Sequence, residues 1–153
     1  MASIFDSSTL TVVIQETIKL NNNNYGSRTE INLGKINEVS QRVLTVPTHK
    51  VSILTLSSSN GAGTYASGSL QYARITNLDN TNHVRLTFMS SSGGVTKNKC
   101  VFRLDPKKSF IITNDAYSGS DAGDSFGSFA SYSDIKAIAS SSAVDVEVFV
   151  AST

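Results

Sequence analysis

The sequence of 153 residues contains no tryptophan, one cysteine, two prolines and two histidines. Its single cysteine, Cys100, excludes a framework of intrachain disulfides. Charged residues make up 16% of the chain, below the roughly 25% of an ordinary soluble domain. No stretch approaches the ~18–20 apolar residues of a membrane-spanning helix, and the first residues lack the charged and apolar regions of a signal peptide. We therefore expect no contact with a membrane.

Positive and negative charges are nearly balanced, with 13 Lys and Arg residues against 12 Asp and Glu residues. Because nucleic-acid binding relies on an excess of basic side chains, we expect no nucleic acid as a partner. Residues 1–108 hold 12 of the basic side chains and 6 of the acidic ones, whereas residues 109–153 hold one basic and 6 acidic. Two interpretations stay open: unrelated surface charges, or electrostatic complementarity between copies in an assembly.

Alternation of apolar and polar residues runs through the chain, and helical periodicity is nearly absent. The segment 10–20 predicts a half-buried strand, and the polar run 21–27 predicts a turn into a second strand at 31–36, which together form a hairpin. Further strands are predicted at 42–46, 51–56, 70–77, 83–88, 99–104, 110–113 and, more weakly, 135–139. In the last strand, Val144, Val146, Val148 and Val150 share one face, which we expect to face the core.

About nine to ten short antiparallel strands predict an all-β fold, a single β-sandwich or jelly-roll domain spanning residues 1–153. Long polar loops are expected at about 57–69 and 114–133. The second loop contains four aromatic residues, Tyr117, Phe126, Phe129 and Tyr132. Because a solvated loop gains nothing from four rings, we expect it to dock on its own domain or on another subunit.

No catalytic arrangement is predicted, and we expect the protein not to be an enzyme. His49 follows a Pro-Thr turn and His83 opens a strand, and the abundant serines around them include no Gly-x-Ser-x-Gly elbow. Cys100 alternates in phase with Phe102 and Leu104, which predicts a core position and an unreactive thiol.

No metal or cofactor is expected either, since the few histidine and cysteine residues do not supply a zinc site. Asp115, Asp121 and Asp124 lie in one loop that could curl around a hard cation, but they lack EF-hand spacing, and solvated turn positions are the alternative. The glycines at 61, 63 and 68 lack the following helix of a phosphate-binding loop. A basic cluster remains, either a solvated strand face or a site for an acidic protein surface: Lys97, Lys99, Arg103, Lys107 and Lys108.

Three stretches together resemble a known group of proteins. Residues 72–79 end in Thr-Asn-Leu-Asp, residues 83–88 follow in a hairpin, and residues 102–110 contain Leu-x-Pro-x-x-Ser-Phe. This order resembles small structural proteins encoded in the virion modules of marine tailed phages, notably cyanophages. The opening residues 1–10 and the closing residues 144–151 are also similar to that group. The resemblance implies a virion structural protein, with capsid decoration as one role, and no catalytic residues.

The leading hypothesis is therefore a capsid decoration or cement protein that binds and stabilises the assembled head. Its expected partners are the major capsid protein or other virion proteins, and copies of itself in a trimer or ring. Its expected location is the virion, after synthesis in the host cytoplasm. The alternative is a tail tube, collar or fibre-adaptor subunit, and a more remote one is a carbohydrate-binding jelly-roll module.

Overall fold

The computed structural model describes residues 7–57, 64–66, 69–92, 95–113 and 132–153. These residues form β-strands and contain no helix, which confirms the all-β prediction. The strands are β1 (Ser8–Gln15), β2 (Ile18–Leu20), β3 (Asn23–Tyr25), β4 (Arg28–Ile36), β5 (Glu38–Val46), β6 (Val51–Ser57), β7 (Thr64–Ala66), β8 (Leu70–Asn77), β9 (Val84–Ser92), β10 (Val95–Leu104), β11 (Ser109–Thr113), β12 (Asp134–Ala139) and β13 (Val144–Ser152). Within these ranges there is accordingly no helix able to cross a membrane.

The described strands form four sheets. Two are large, with the orders β11-β8-β13-β5 and β10-β9-β12-β6-β7, and two contain only β1-β4 and β2-β3. Ladders between described strands are antiparallel except β6–β7, which is parallel. The expectation of nine to ten antiparallel strands in one sandwich is therefore wrong in its numbers, because the described residues form thirteen strands in four sheets.

Short interruptions explain the difference in strand number. The predicted strand 10–20 is divided at residues 16–17 into β1 and β2, and the pairing of β1 with β4 confirms the hairpin. The polar strand β3 has no apolar alternation to reveal it. Strand β7 lies inside the predicted loop 57–69, where Tyr65 is buried in the core.

The two large sheets share one hydrophobic cluster. Val144, Val146, Val148 and Val150 are at most 1% exposed, which confirms the predicted core face of β13. Strands from both sheets contribute the other large, fully buried side chains, which are Val46, Ile53, Leu54, Leu70, Ile75, Val84, Leu86 and Ile135. Each such side chain stabilises the fold by roughly 1.5–3 kcal/mol relative to an exposed one.

Strand pairing follows a simple order along the chain. β5 pairs with β13, β6 with β12, β8 with β11, and β9 with β10. Strands β5 to β9 therefore form one half of a long antiparallel ribbon. Strands β10 to β13 pair with them in reverse order and form the other half. This ribbon wraps around the shared core, and residues 8–36 precede it.

The predicted aromatic loop 114–133 is described only at its end. Tyr132 is buried and packs against Phe88, with ring centroids 5.3 Å apart. This ring therefore docks on its own domain. Tyr117, Phe126 and Phe129 lie outside the described residues.

Candidate interaction surface

Residues 8–36 form a two-stranded ribbon, which we call the arm. β1 and β4 pair along its length, and β2 and β3 pair at its end. The turn between β2 and β3 contains Asn21 and Asn22, with φ of 50° and 66°. Asparagine tolerates these left-handed values better than most residues, and two in succession make the tight turn typical of a hairpin. The turn places Ile18 directly opposite Tyr25.

Gly26 lies at the joint between the two parts of the arm. Its φ is 143°, and a Cβ atom added there would stand 2.0 Å from the carbonyl oxygen of Glu16. Across the joint, the backbone N–H of Glu16 donates to the carbonyl of Ser27 at 2.9 Å, and the Ser27 hydroxyl donates to the Glu16 carboxylate at 2.8 Å. Glycine is therefore required at this position by both backbone conformation and space.

The base of the arm packs on the outer face of the four-stranded sheet. The contact is made by Leu10, Val12, Leu33 and Ile36 from the arm, and by Tyr72, Phe149 and Ala151 from the sheet. The rings of Tyr72 and Phe149 meet edge to face, with centroids 6.0 Å apart. Burial raises the pKa of the Tyr72 phenol, an effect that the nearby Arg74 guanidinium opposes. The phenol therefore stays neutral in this apolar contact.

Away from its base, the arm exposes its apolar side chains. Ile18, Leu20 and Tyr25, which we call the arm tip, are 58%, 56% and 54% exposed. Val13 and Ile14 on β1 are exposed as well. The prediction that the whole segment 10–20 is half buried is therefore wrong beyond Val12. Single exposed apolar residues are common, but a cluster of this kind marks an interaction surface.

A second exposed apolar surface lies on the body. β5 forms one edge of the four-stranded sheet, and its outward residues, Val39, Gln41, Val43 and Thr45, form what we call the β5 face. Val39 and Val43 are 57% and 58% exposed. The β5 face belongs to the same side of the sheet as the residues that the arm base covers.

Acidic side chains border the β5 face. Glu147 on β13 accepts a hydrogen bond from Gln41 at 2.6 Å and forms an ion pair with Arg74 at 2.8 Å. Asp145, also on β13, accepts from the Thr45 hydroxyl at 2.7 Å. The polar members of the β5 face thus lean toward β13, which leaves Val39 and Val43 as its projecting side chains.

Two of the three stretches singled out in the sequence, 72–79 and 102–110, contact each other. Asn77 is fully buried, and its side-chain amide donates to the carbonyls of Asn82 at 2.9 Å and Leu104 at 3.1 Å. The backbone N–H of Asn77 donates to the carbonyl of Lys108, and its own carbonyl accepts from the N–H of Lys107. Buried amides need such partners. The hydrogen bonds of Asn77 therefore connect the turn that follows β8 to the turn between β10 and β11.

The turn after Asn77 is closed by Asp79. Its carboxylate accepts from the backbone N–H groups of Asn82 at 2.6 Å and Thr81 at 2.7 Å. These hydrogen bonds, that from Asn82 foremost, lower the pKa of Asp79 below its ordinary value. The carboxylate is therefore engaged in holding its own turn.

An open depression of about 520 Å³ lies beside this turn, lined by Thr45, Leu78, Asp79, Asn80, Ala143 and Asp145. The carboxylates of Asp79 and Asp145 are already engaged by the hydrogen bonds described above. The six lining residues include no aromatic ring on which a sugar would stack. The depression therefore gives little support to the carbohydrate-binding alternative.

Cys100 packs against the core cluster, as its alternation predicts, although it is only partly buried. Its Sγ lies 3.7 Å from the Tyr132 hydroxyl, and the Tyr132 ring belongs to a group of rings packed edge to face that includes Phe88 and Phe102. Within the described ranges, no three His, Cys, Asp or Glu side chains are grouped as a metal site. The aspartates at 115, 121 and 124 lie outside those ranges.

The predicted basic cluster divides into separate contacts. Arg103 pairs with Asp105 at 2.6 Å on an exposed strand surface. Lys107 has a left-handed φ of 59°, and its ammonium donates to the carbonyl of Leu78. The side chains of Lys97 and Lys99 lie outside the described part of the chain. The described members therefore hold local structure rather than converge on one site.

Comparison with family models, with curated proteins and with solved structures finds no match for this chain. The arm tip and the β5 face are therefore the features from which a function is argued. Sequence reasoning placed Ile18, Leu20 and Val43 on strands but missed their exposure. It assigned Tyr25 to a turn and left Val39 outside the predicted strand 42–46. Alternation shows which residues share a face of a strand, and it does not show whether another element covers that face.

Proposed function

We propose that the protein is a phage virion structural protein, a capsid decoration protein that binds the assembled head and stabilises it. On this proposal its body is a jelly roll, and the pairing order of the doubled ribbon of β5 to β9 and β10 to β13 supports that fold. The resemblance of its motifs to virion structural proteins of marine tailed phages points to the same class.

The observation that carries the proposal is the exposed arm. Ile18, Leu20 and Tyr25 are each more than half exposed at the end of a ribbon anchored on a folded body. Covering apolar surface gains roughly 25 cal/mol per Å². A rigid body with such a projection is suited to association with other proteins, which is the work of a decoration protein.

The mechanism is associative. A protein that binds only the intact shell stabilises it by RT ln(1 + [L]/Kd), about 2.7 kcal/mol at a free concentration of 100 Kd. Many copies on one particle multiply this effect, because neighbouring shell subunits must lose all of these contacts before the shell ruptures.

The test is to count copies per purified particle and to measure the rupture temperature of shells with and without the protein. We expect saturable binding to preassembled heads, with rupture at a higher temperature. A few copies confined to the tail would transfer the assignment to a tail tube, collar or fibre-adaptor subunit. Hundreds of copies on the head without a gain in rupture temperature would leave decoration and remove the stabilising role.

A further inference from the structure

We infer that the arm tip of one copy docks on the β5 face of a second copy of the same chain. The first ground is the contact already present within one chain. Apolar residues of the arm base cover Tyr72, Phe149 and Ala151 on the outer face of the four-stranded sheet. Val39 and Val43 lie on that same face and are exposed. The β5 face therefore offers the arm tip the same kind of apolar sheet surface that the arm base already covers.

The contact is made between copies, because the arm tip and the β5 face are both exposed within one chain and do not cover each other there. β4 ends at Ile36 and β5 begins at Glu38, so the arm and the β5 face start from the same point of the chain. At about 3.3 Å per residue, the turn at Asn21 and Asn22 lies roughly 40 Å along the ribbon from Ile36. The arm is therefore long enough to reach a second copy while its base stays in place.

Charge favours the same partner. Residues 17–25 contain one cation, Lys19, and no acid, whereas Arg28 pairs with Glu30 at 2.9 Å. The outward residues of β13 beside the β5 face include Asp145 and Glu147 and no cation, and Glu147 also pairs with Arg74. Opposite charges at the edges of an apolar contact raise the association rate and fix its orientation.

The contact is head to tail, since each copy gives an arm and receives one on a different surface. Contacts of this type close into rings when the rotation between copies permits. The inference goes beyond the proposed function, because docking between copies does not depend on the position of the protein in a particle.

The experiment uses two substituted chains, each with a matched control. The tip variant is Ile18→Ser with Leu20→Ser, and its control is Asn24→Ser, an uncharged position paired with Lys19 on the opposite side of the ribbon. The receiving variant is Val39→Ser with Val43→Ser, and its control is Val101→Ser, a valine of similar exposure on β10 in the other large sheet. All of these side chains are exposed, so unchanged melting temperatures are expected and verify that the chains fold.

Sedimentation velocity over a concentration series gives the result. We expect the wild type and both controls to self-associate, and each variant alone to associate at least about tenfold more weakly. An equimolar mixture of the two variants should form a dimer and stop there, because one intact tip meets one intact β5 face.

Three outcomes would overturn the inference: a wild type that stays monomeric at millimolar concentration, variants that associate like the wild type, or a mixture that fails to pair. Binding to heads is measured separately. A protein that binds heads but stays monomeric would support the decoration role and refute docking between copies. A protein that forms rings but does not bind heads would support docking between copies and refute the decoration role.

Discussion

Replacing Gly26 with alanine is expected to open the arm tip and leave the body folded. The added methyl group would meet the carbonyl oxygen of Glu16 at 2.0 Å, although real contacts below 3.0 Å essentially never occur. The two strands must therefore separate by about 1 Å at this point. Because the arm and the body belong to different sheets, the disturbance is confined to the arm.

The expected loss of free energy on this substitution exceeds the stability of the arm tip. Holding a residue other than glycine in this backbone region costs roughly 1–3 kcal/mol. Separating the strands also weakens the hydrogen bond from Glu16 to Ser27, worth roughly 0.5–1.5 kcal/mol. The sum is about 1.5–4.5 kcal/mol, whereas a two-stranded hairpin is only marginally stable on its own.

Hydrogen exchange followed by mass spectrometry measures this change directly. Amides of residues 17–28 should exchange at least tenfold faster in Gly26→Ala, while those of β13 keep their wild-type rates. Gly34→Ala is the control, because a Cβ atom there meets nothing within 4 Å. Wild-type protection of the tip in Gly26→Ala, or a general loss of protection in the body, would refute the reasoning.

Three further predictions concern the body. Val146→Asp places an unpaired carboxylate where no surface is exposed, which costs several kcal/mol of the ~5–15 kcal/mol of a typical domain; a soluble variant with an unchanged melting temperature would contradict the core assignment. Asn77→Leu leaves the carbonyls of Asn82 and Leu104 without their amide donor, at roughly 1–3 kcal/mol each, so its urea midpoint should fall well below that of the exposed control Asn80→Leu. Because hydrogen bonds lower the pKa of Asp79 from 3.8, the stability it contributes is complete above that value and is lost as the pH falls through the lower folded-state pKa. A carboxyl NMR titration should show the lowered pKa, and Asp79→Asn should flatten this part of the acid unfolding curve.

Strands that alternate clearly were predictable from the sequence. The prediction at 70–77 coincides with β8, and the four valines of β13 face the core. Strand β7 was not predictable, because three residues are too few to show a period and its pairing with β6 is parallel, unlike the hairpins that the turn signals predict. Strand β3 is polar and is held in place by its turn rather than by burial.

The interaction surface was less predictable than the fold. Leu10 and Leu20 belong to the same alternating pattern, yet the first packs on the sheet and the second is exposed. What separates them is the position of Tyr72 and Phe149, which come together only when β8 pairs with β13. The role of Asn77 also depends on tertiary contacts, since buried and exposed asparagines look alike in a sequence.

The separation of arm and body into different sheets has a consequence for how such a protein can diversify. Substitutions at sites without shared partners usually add in their effects on stability. The exposed side chains of residues 13–25 can therefore change to suit a new partner while Gly26 and the valine core of β13 stay as they are, and the core can change without altering what the tip recognises. If another binding segment replaces the residues between Gln15 and Arg28, the arm base and the folded body should still hold that segment in place.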